Sequence, residues 1–227
     1  MQRKKRVLWA ALFGAMVSVL IVRLRGGVPL QPRDFGLGDT LLARLQLVVA
    51  ATPWVAFSLY WEIASKNVAA AKKSESRSSR GVHLFLTNAA LLLEIIPFPF
   101  LGRFLSATYW ELVSGAAVSA CGLFVAIWAR RHLGRNWSGE ITIKVEHELI
   151  RTGPYKLVRH PIYTGILIMY VGTAIVTGTW LALVGVAMVA LAYVRKIRLE
   201  EANMRVAFGP QYEEYCRESR AFVPWVY

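Results

Sequence analysis

Apolar residues along this chain fall in long runs, and basic clusters separate the runs. The runs at Val7–Val22, Leu45–Ala64, Val82–Phe100, Thr108–Ala129, Ile162–Thr177 and Leu181–Val194 predict about six transmembrane helices, with five as the alternative count. The first run is short, and its flanking arginines are of the kind that snorkel to the membrane surface. Pro53 lies inside the second run, where a membrane helix tolerates a kink. Pro97-Phe-Pro99 closes the third. Only Gly178-Thr179 separates the last two, which predicts a tight helical hairpin. Both of its arms are short for a spanning helix, so a tilted or shallow seat is expected.

The polar intervals carry the organisation. Arg23–Arg44 is a link with Gly26, Gly27, Pro29 and Pro32. Lys66–Arg80 is a hydrophilic loop without apolar periodicity. Arg130–His160 is the longest polar stretch of the second half, and its GEITIKVEHELI segment is either extended or a short interfacial element. Beyond Val194 a polar helix is expected through Glu201 to about Phe208, where Gly209-Pro210 breaks it. The aromatic tail that follows reads as interfacial. Six spans put the N-terminal basic cluster, Lys66–Arg80, Arg130–His160 and Arg195–Arg198 on one side, which the positive-inside rule makes the cytoplasm. Arg23, Arg25, Arg33 and Arg44 then fall outside, partly balanced by Asp34 and Asp39. The expected class is an all-α polytopic membrane protein, with N-terminal spans over residues 1–129 and a core over 130–227.

Composition agrees: 56% of the 227 residues are hydrophobic and the formal net charge is +13. The charges flank apolar spans instead of forming a basic face, so nucleic acid is not an expected partner and membrane lipids are. Cys121 and Cys216 form no CxxC pair. Glycine-rich phosphate loops, HExxH and GxSxG are absent, and no metal site is expected.

What remains is RTGPYKLVRHPIYTG, Arg151–Gly165, and the charged end of the last run. Arg159 and His160 suit a carboxylate or phosphate. Tyr155 and Tyr163 suit a flat heterocycle or a cation. Glu200 and Glu201 could accept hydrogen bonds from ribose hydroxyls, and Lys196 shares a helix face with Glu200. The plainer readings are a headgroup anchor for Arg159, an aromatic-belt residue for Tyr163 and a solvated face for the glutamates. His83 and Glu94, in or beside the third run, are candidates by virtue of an ionisable group at membrane depth.

These residues fall in two ordered motifs. The first reads His147-Glu-Leu-Ile, then Gly153-Pro-Tyr155, then Arg159-His-Pro-Ile-Tyr163-x-Gly165. The second reads Glu200-Glu201-x-x-Met204-x-x-x-Phe208-Gly209-x-x-Tyr212-x-x-Tyr215, with Pro224 downstream. Together they resemble the core of the isoprenylcysteine carboxyl methyltransferase family, over roughly residues 130–227. The resemblance implies an integral membrane enzyme with S-adenosylmethionine in a cytoplasmic pocket. Its implied cofactor contacts are His147, Glu148, Leu149, Ile150, Tyr155, His160, Pro161, Ile162, Tyr163 and Glu200. Arg159 is implied in catalysis, through the methionine carboxylate or the substrate. The family usually has an arginine for the acceptor's acidic group one turn before the cofactor-binding glutamate. Lys196 stands there, beside Arg195. The implied acceptor is lipophilic or prenylated and enters from the bilayer. A nicotinamide-dependent membrane reductase of the sterol type and a non-catalytic lipid-binding protein are the competing readings.

Overall fold

The computed structural model describes residues 40–65, 71–74, 76–95, 102–106, 108–137, 142–144 and 149–222. The expected first span, Val7–Val22, lies outside them, as do His147 and Glu148. Among these residues, six α-helices follow in order: α1 (Thr40–Ala64), α2 (Arg77–Ile95), α3 (Tyr109–Leu133), α4 (Pro161–Thr177), α5 (Trp180–Phe208) and α6 (Pro210–Glu218). One small antiparallel ribbon joins β1 (Ala71–Ser74) to β2 (Thr142–Lys144). The extended reading of the segment around Ile143 is therefore the observed one, and its partner strand comes from the hydrophilic Lys66–Arg80 loop.

By length and composition, Arg44–Ala64, α3 and α5 are long and apolar enough to cross a membrane, and α4 is a shorter apolar helix. Leu59, Phe124, Val184 and Leu191 are exposed along these helices, in the manner of side chains that lipid covers. Helix α2 starts five residues before the predicted Val82. Ser76 explains this: its Oγ accepts the Ser79 backbone N–H at 3.3 Å, an N-cap bond that satisfies one of the helix's free donors.

The most extensive contact is between α3 and α4. Gly115, Ser119, Gly122 and Ala126 form a stripe of small residues on α3 that meets Gly165, Met169, Gly172 and Val176 on α4. A β-carbon on Gly122 would come within 2.5 Å of the Gly165 carbonyl oxygen. Small residues let the two backbones approach, which is how helices gain dispersion energy where lipid removes the hydrophobic drive. Polar side chains bind the surrounding seams. Gln46 donates to the Val176 carbonyl at 2.9 Å, Trp54 Nε1 to Thr173 Oγ1 at 2.9 Å, and Tyr170 to the Thr87 carbonyl at 2.7 Å.

Helix α5 packs along α2 and turns back from α4 through the predicted hairpin. Gly178 adopts φ 63°, the left-handed value a glycine takes without strain. Thr179 then caps α5 by accepting the Ala182 N–H at 3.2 Å. The polar half of α5, from Arg195 onward, extends past the apolar stretch to Gly209. There α6 folds back and buries Tyr212 and Tyr215.

Candidate active site

The site is built where the 149–160 segment, the start of α4, the polar half of α5 and the C-terminal turn meet. Gly153-Pro154 opens a short 3-10 turn, Gly153–Lys156. The Gly153 φ of 60° and the His132 ring, 2.7 Å from where a β-carbon would stand, both require glycine. The turn buries Tyr155, whose carbonyl accepts the Tyr215 hydroxyl at 2.5 Å. The strand-like stretch that follows pairs with the C-terminus: Arg159 N–H bonds the Arg220 carbonyl at 2.8 Å and His160 N–H the Ala221 carbonyl at 3.0 Å. Pro161 occupies the first position of α4, where its fixed φ suits a helix start and its missing N–H costs nothing. This sets His160 at the N-cap and Tyr163 in the first turn.

Opposite, α5 presents Lys196, Glu200 and Glu201. The Tyr163 hydroxyl donates to Glu200 Oε1 at 2.6 Å. His160 Nδ1 lies 3.4 Å from Glu200 Oε2, and its Nε2 lies 3.6 Å from Glu201 Oε1. Arg159 Nε bonds Glu201 Oε1 at 2.8 Å, and its Nη1 donates to the Ser219 carbonyl at 2.6 Å. The Lys196 ammonium stands 5.4 Å from the Tyr163 ring centroid. The rings of His160 and Tyr163 are parallel within 4° at 5.6 Å, and Tyr163 stacks on Tyr193 at 4.6 Å.

Electrostatics follow from this crowding. Burial opposes a charged His160, but the Glu200 and Glu201 carboxylates outweigh it and raise its pKa. Burial would likewise raise Glu201, yet the neighbouring His160 and the bond from Arg159 hold it at about 2. Glu200 is lowered against its own burial by His160 and Lys196. The two glutamates are thus held as anions among buried partners.

Of the residues expected at the site, His160, Tyr163, Lys196 and Glu200 come together here. Arg159 is engaged differently: Glu201 and two C-terminal carbonyls hold its guanidinium, so it ties α5 to the chain end. Tyr155, Ile162 and the flanking Ile150 belong to the apolar core behind the wall, with Pro161 buried at the head of α4 and Leu149 half-buried at the segment's start. Arg195 is exposed and donates to Ser79 Oγ at 3.0 Å. Sequence reasoning passed over Tyr193 as a site residue. Its position seven before Glu200 was the available signal, since that spacing puts both on one helix face.

Residues 110–211 match the family model for phospholipid methyltransferases. A probable protein-S-isoprenylcysteine O-methyltransferase of Oryza sativa subsp. indica is 33% identical over 138 residues, which span 60% of this chain and 70% of that protein. The chain belongs to the isoprenylcysteine carboxyl methyltransferase family. A second member, protein-S-isoprenylcysteine O-methyltransferase A of Arabidopsis thaliana, is 32% identical over 146 residues, 63% of this chain and 72% of that protein. The fold is that of the eukaryotic intramembrane Ras methyltransferase ICMT, whose solved structure covers 97% of this chain and is itself covered to 86%, with a TM-score of 0.54 at 17% identity. As a member of the isoprenylcysteine carboxyl methyltransferase family, the chain is an integral membrane methyltransferase.

Proposed function

We propose that this methyltransferase moves a methyl group from S-adenosylmethionine to the carboxylate of a prenylated or otherwise lipophilic acceptor drawn from the bilayer. In this reading the chain crosses the membrane about six times and works at the cytoplasmic face. The observation that carries it is the Glu200 carboxylate, held by Tyr163 at 2.6 Å and faced by His160 at 3.4 Å, where α5 leaves its apolar stretch. The residues fit the cofactor. His160 Nε2 is buried without a hydrogen-bond partner, and parallel rings beside an oriented carboxylate suit a nucleoside with ribose hydroxyls.

When bound, S-adenosylmethionine would supply an electrophilic methyl group on a sulfonium sulfur, with a neutral thioether as its leaving group. The carboxylate nucleophile is already ionised near neutral pH, so this chain need supply no general base. Its residues bind and orient, which in favourable cases is worth up to about 7–11 kcal/mol. Glu200, Tyr163 and His160 would hold the cofactor, backed by Leu149, Ile150, Tyr155, Pro161 and Ile162; the family resemblance adds His147 and Glu148, which lie outside the described residues. Arg159 is a positioning residue: through Glu201 it fixes the helix turn that carries Glu200. Lys196 takes the acceptor's carboxylate, with Arg195 contributing charge from the rim.

Calorimetry with S-adenosylhomocysteine tests the cofactor reading: binding should be lost in Glu200→Ala and Tyr163→Ala, and no binding by the native protein would overturn it. Transfer of labelled methyl to N-acetyl-S-farnesylcysteine tests the acceptor.

A further inference from the structure

Helix α4 begins without a local side-chain cap. His160 stands at the cap position with φ −124° and ψ 56°, and its side chain makes no capping bond. Serine, threonine, aspartate or asparagine at such a position would bond a free helix N–H and fix the entry of the chain. Here the entry is fixed by the end of the protein instead. The Arg159 N–H donates to the Arg220 carbonyl at 2.8 Å, the His160 N–H to the Ala221 carbonyl at 3.0 Å, and the Arg220 N–H to the Leu157 carbonyl at 3.4 Å. Val158 and Arg220 are thereby bridged in parallel. The His160 imidazole, not spent on a cap, is free to face Glu200 and Glu201.

A side chain of α4 joins in holding the C-terminal stretch Ser219–Phe222. Thr164 Oγ1 lies 2.6 Å from the Phe222 carbonyl oxygen and 3.2 Å from the His160 carbonyl oxygen one turn back. A hydroxyl has one proton to donate, and the nearer acceptor takes the stronger bond. At the other end of the stretch, Arg159 Nη1 donates to the Ser219 carbonyl at 2.6 Å. Ser219, Ala221 and Phe222 are buried. The Phe222 ring centroid is 6.1 Å from that of Tyr193, which stacks on Tyr163 at 4.6 Å. The C-terminal stretch therefore meets the site twice, through its backbone at His160 and through a ring behind Tyr163.

We infer that Thr164 is a positioning residue for the cofactor: by holding the Phe222 carbonyl it seats the C-terminal stretch, which in turn sets His160 and Tyr163 in register with Glu200. This rests on the cofactor reading proposed above and deepens it. Seating of the stretch and binding of the cofactor order the same two residues, so each favours the other by the same factor. A cofactor-free protein holds its C-terminus more loosely than a loaded one, and loosening the C-terminus weakens cofactor affinity.

Two measurements on the full chain test this. Calorimetry with S-adenosylhomocysteine compares the native protein with Thr164→Val, which keeps the branched shape and removes the hydroxyl, and Thr164→Ser, which keeps the hydroxyl. The valine variant should bind about tenfold more weakly, the loss of one hydrogen bond, and the serine variant should recover most of the affinity. Hydrogen exchange of the native protein is then followed at the Arg159 and Arg220 N–H groups, both held by the pairing. Saturating S-adenosylhomocysteine should slow their exchange, and Thr164→Val without ligand should speed it. A threonine that merely supports the fold would lower the unfolding temperature and leave affinity and ligand-dependent exchange unchanged. Native affinity in the valine variant, or equal weakening in both variants, overturns the assignment of Thr164. Exchange in the native protein that the ligand does not slow overturns the coupling, and this measurement decides the matter if the valine variant does not fold. If the native protein binds no S-adenosylhomocysteine, the cofactor reading fails and the inference falls with it.

Discussion

The Tyr163 hydroxyl donates a 2.6 Å hydrogen bond to the Glu200 carboxylate, joining the first turn of α4 to the polar half of α5. The bond crosses a hairpin whose two arms are linked by Gly178 and Thr179 alone. Hydrogen bonds to charged groups contribute about 1.5–3 kcal/mol. Tyr163→Phe keeps the ring between His160 and Tyr193 but frees the carboxylate, and should weaken S-adenosylhomocysteine binding by roughly tenfold or more. Tyr163→Ala also removes the stacking and should abolish detectable binding. Titration calorimetry checks both.

The adjacent glutamates have separable roles. Glu201 forms the buried pair with Arg159, each side chain about 10% exposed. Removing one partner of a buried pair costs about 3–5 kcal/mol. Glu201→Ala should therefore lower the unfolding temperature in detergent by on the order of 10 °C. Glu200→Ala should lower it less while eliminating cofactor binding. A thermal melt paired with calorimetry separates them; equal loss of stability in both variants would refute the division.

Acid and base should act on the two partners in opposite directions. His160 has a raised pKa in the folded protein, so its contribution is complete below about pH 6.5 and is lost as pH rises through the folded value. Glu201 is held at about 2, so its contribution is complete above the ordinary carboxylate value and is lost as pH falls through about 2. As pH rises above about 6.5, the unfolding temperature should decline, and His160→Asn should flatten that decline. Melts recorded across the range give the answer.

The α3–α4 seam predicts a contrast between two glycines. A β-carbon at Gly165 would lie 2.6 Å from the Ala126 backbone nitrogen, whereas one at Gly81 on α2 meets nothing within 4 Å. Gly165→Ala should separate the helices and cost about 1–3 kcal/mol or more. Gly81→Ala should be neutral or stabilising by up to about 1 kcal/mol, from helix propensity. Comparing the two melts decides whether close backbone approach holds the bundle.

Much of the helical layout was legible because its signals are local. Apolar runs mark α1, α3, α4 and α5, and Gly178-Thr179 can only be a tight turn. The early start of α2 depends on the Ser76 cap, and the β1–β2 ribbon depends on two segments about seventy residues apart in the chain. Neither has a periodicity to detect. At the site, the spacing of Lys196 and Glu200 was enough to place both on one face. The contacts of Arg159 were not readable, because its partners are Glu201 and the carbonyls of Cys216 and Ser219, brought to it by the fold of α6.

By itself, then, the sequence determined a membrane-embedded helical chain and the two motifs from which a methyltransferase site is made. Hydropathy and residue spacing act within one helix, so they survive without knowledge of the fold. Tertiary structure alone decided which partner each side chain meets: Glu200 Tyr163 and His160, Glu201 Arg159, and His83 the Tyr193 ring across the α2–α5 contact. Those choices depend on the close approach that Gly115, Gly122, Gly165 and Gly172 permit and on the return of the chain through Gly209. Pairings between distant segments are settled by packing, and packing is a property of all the helices together.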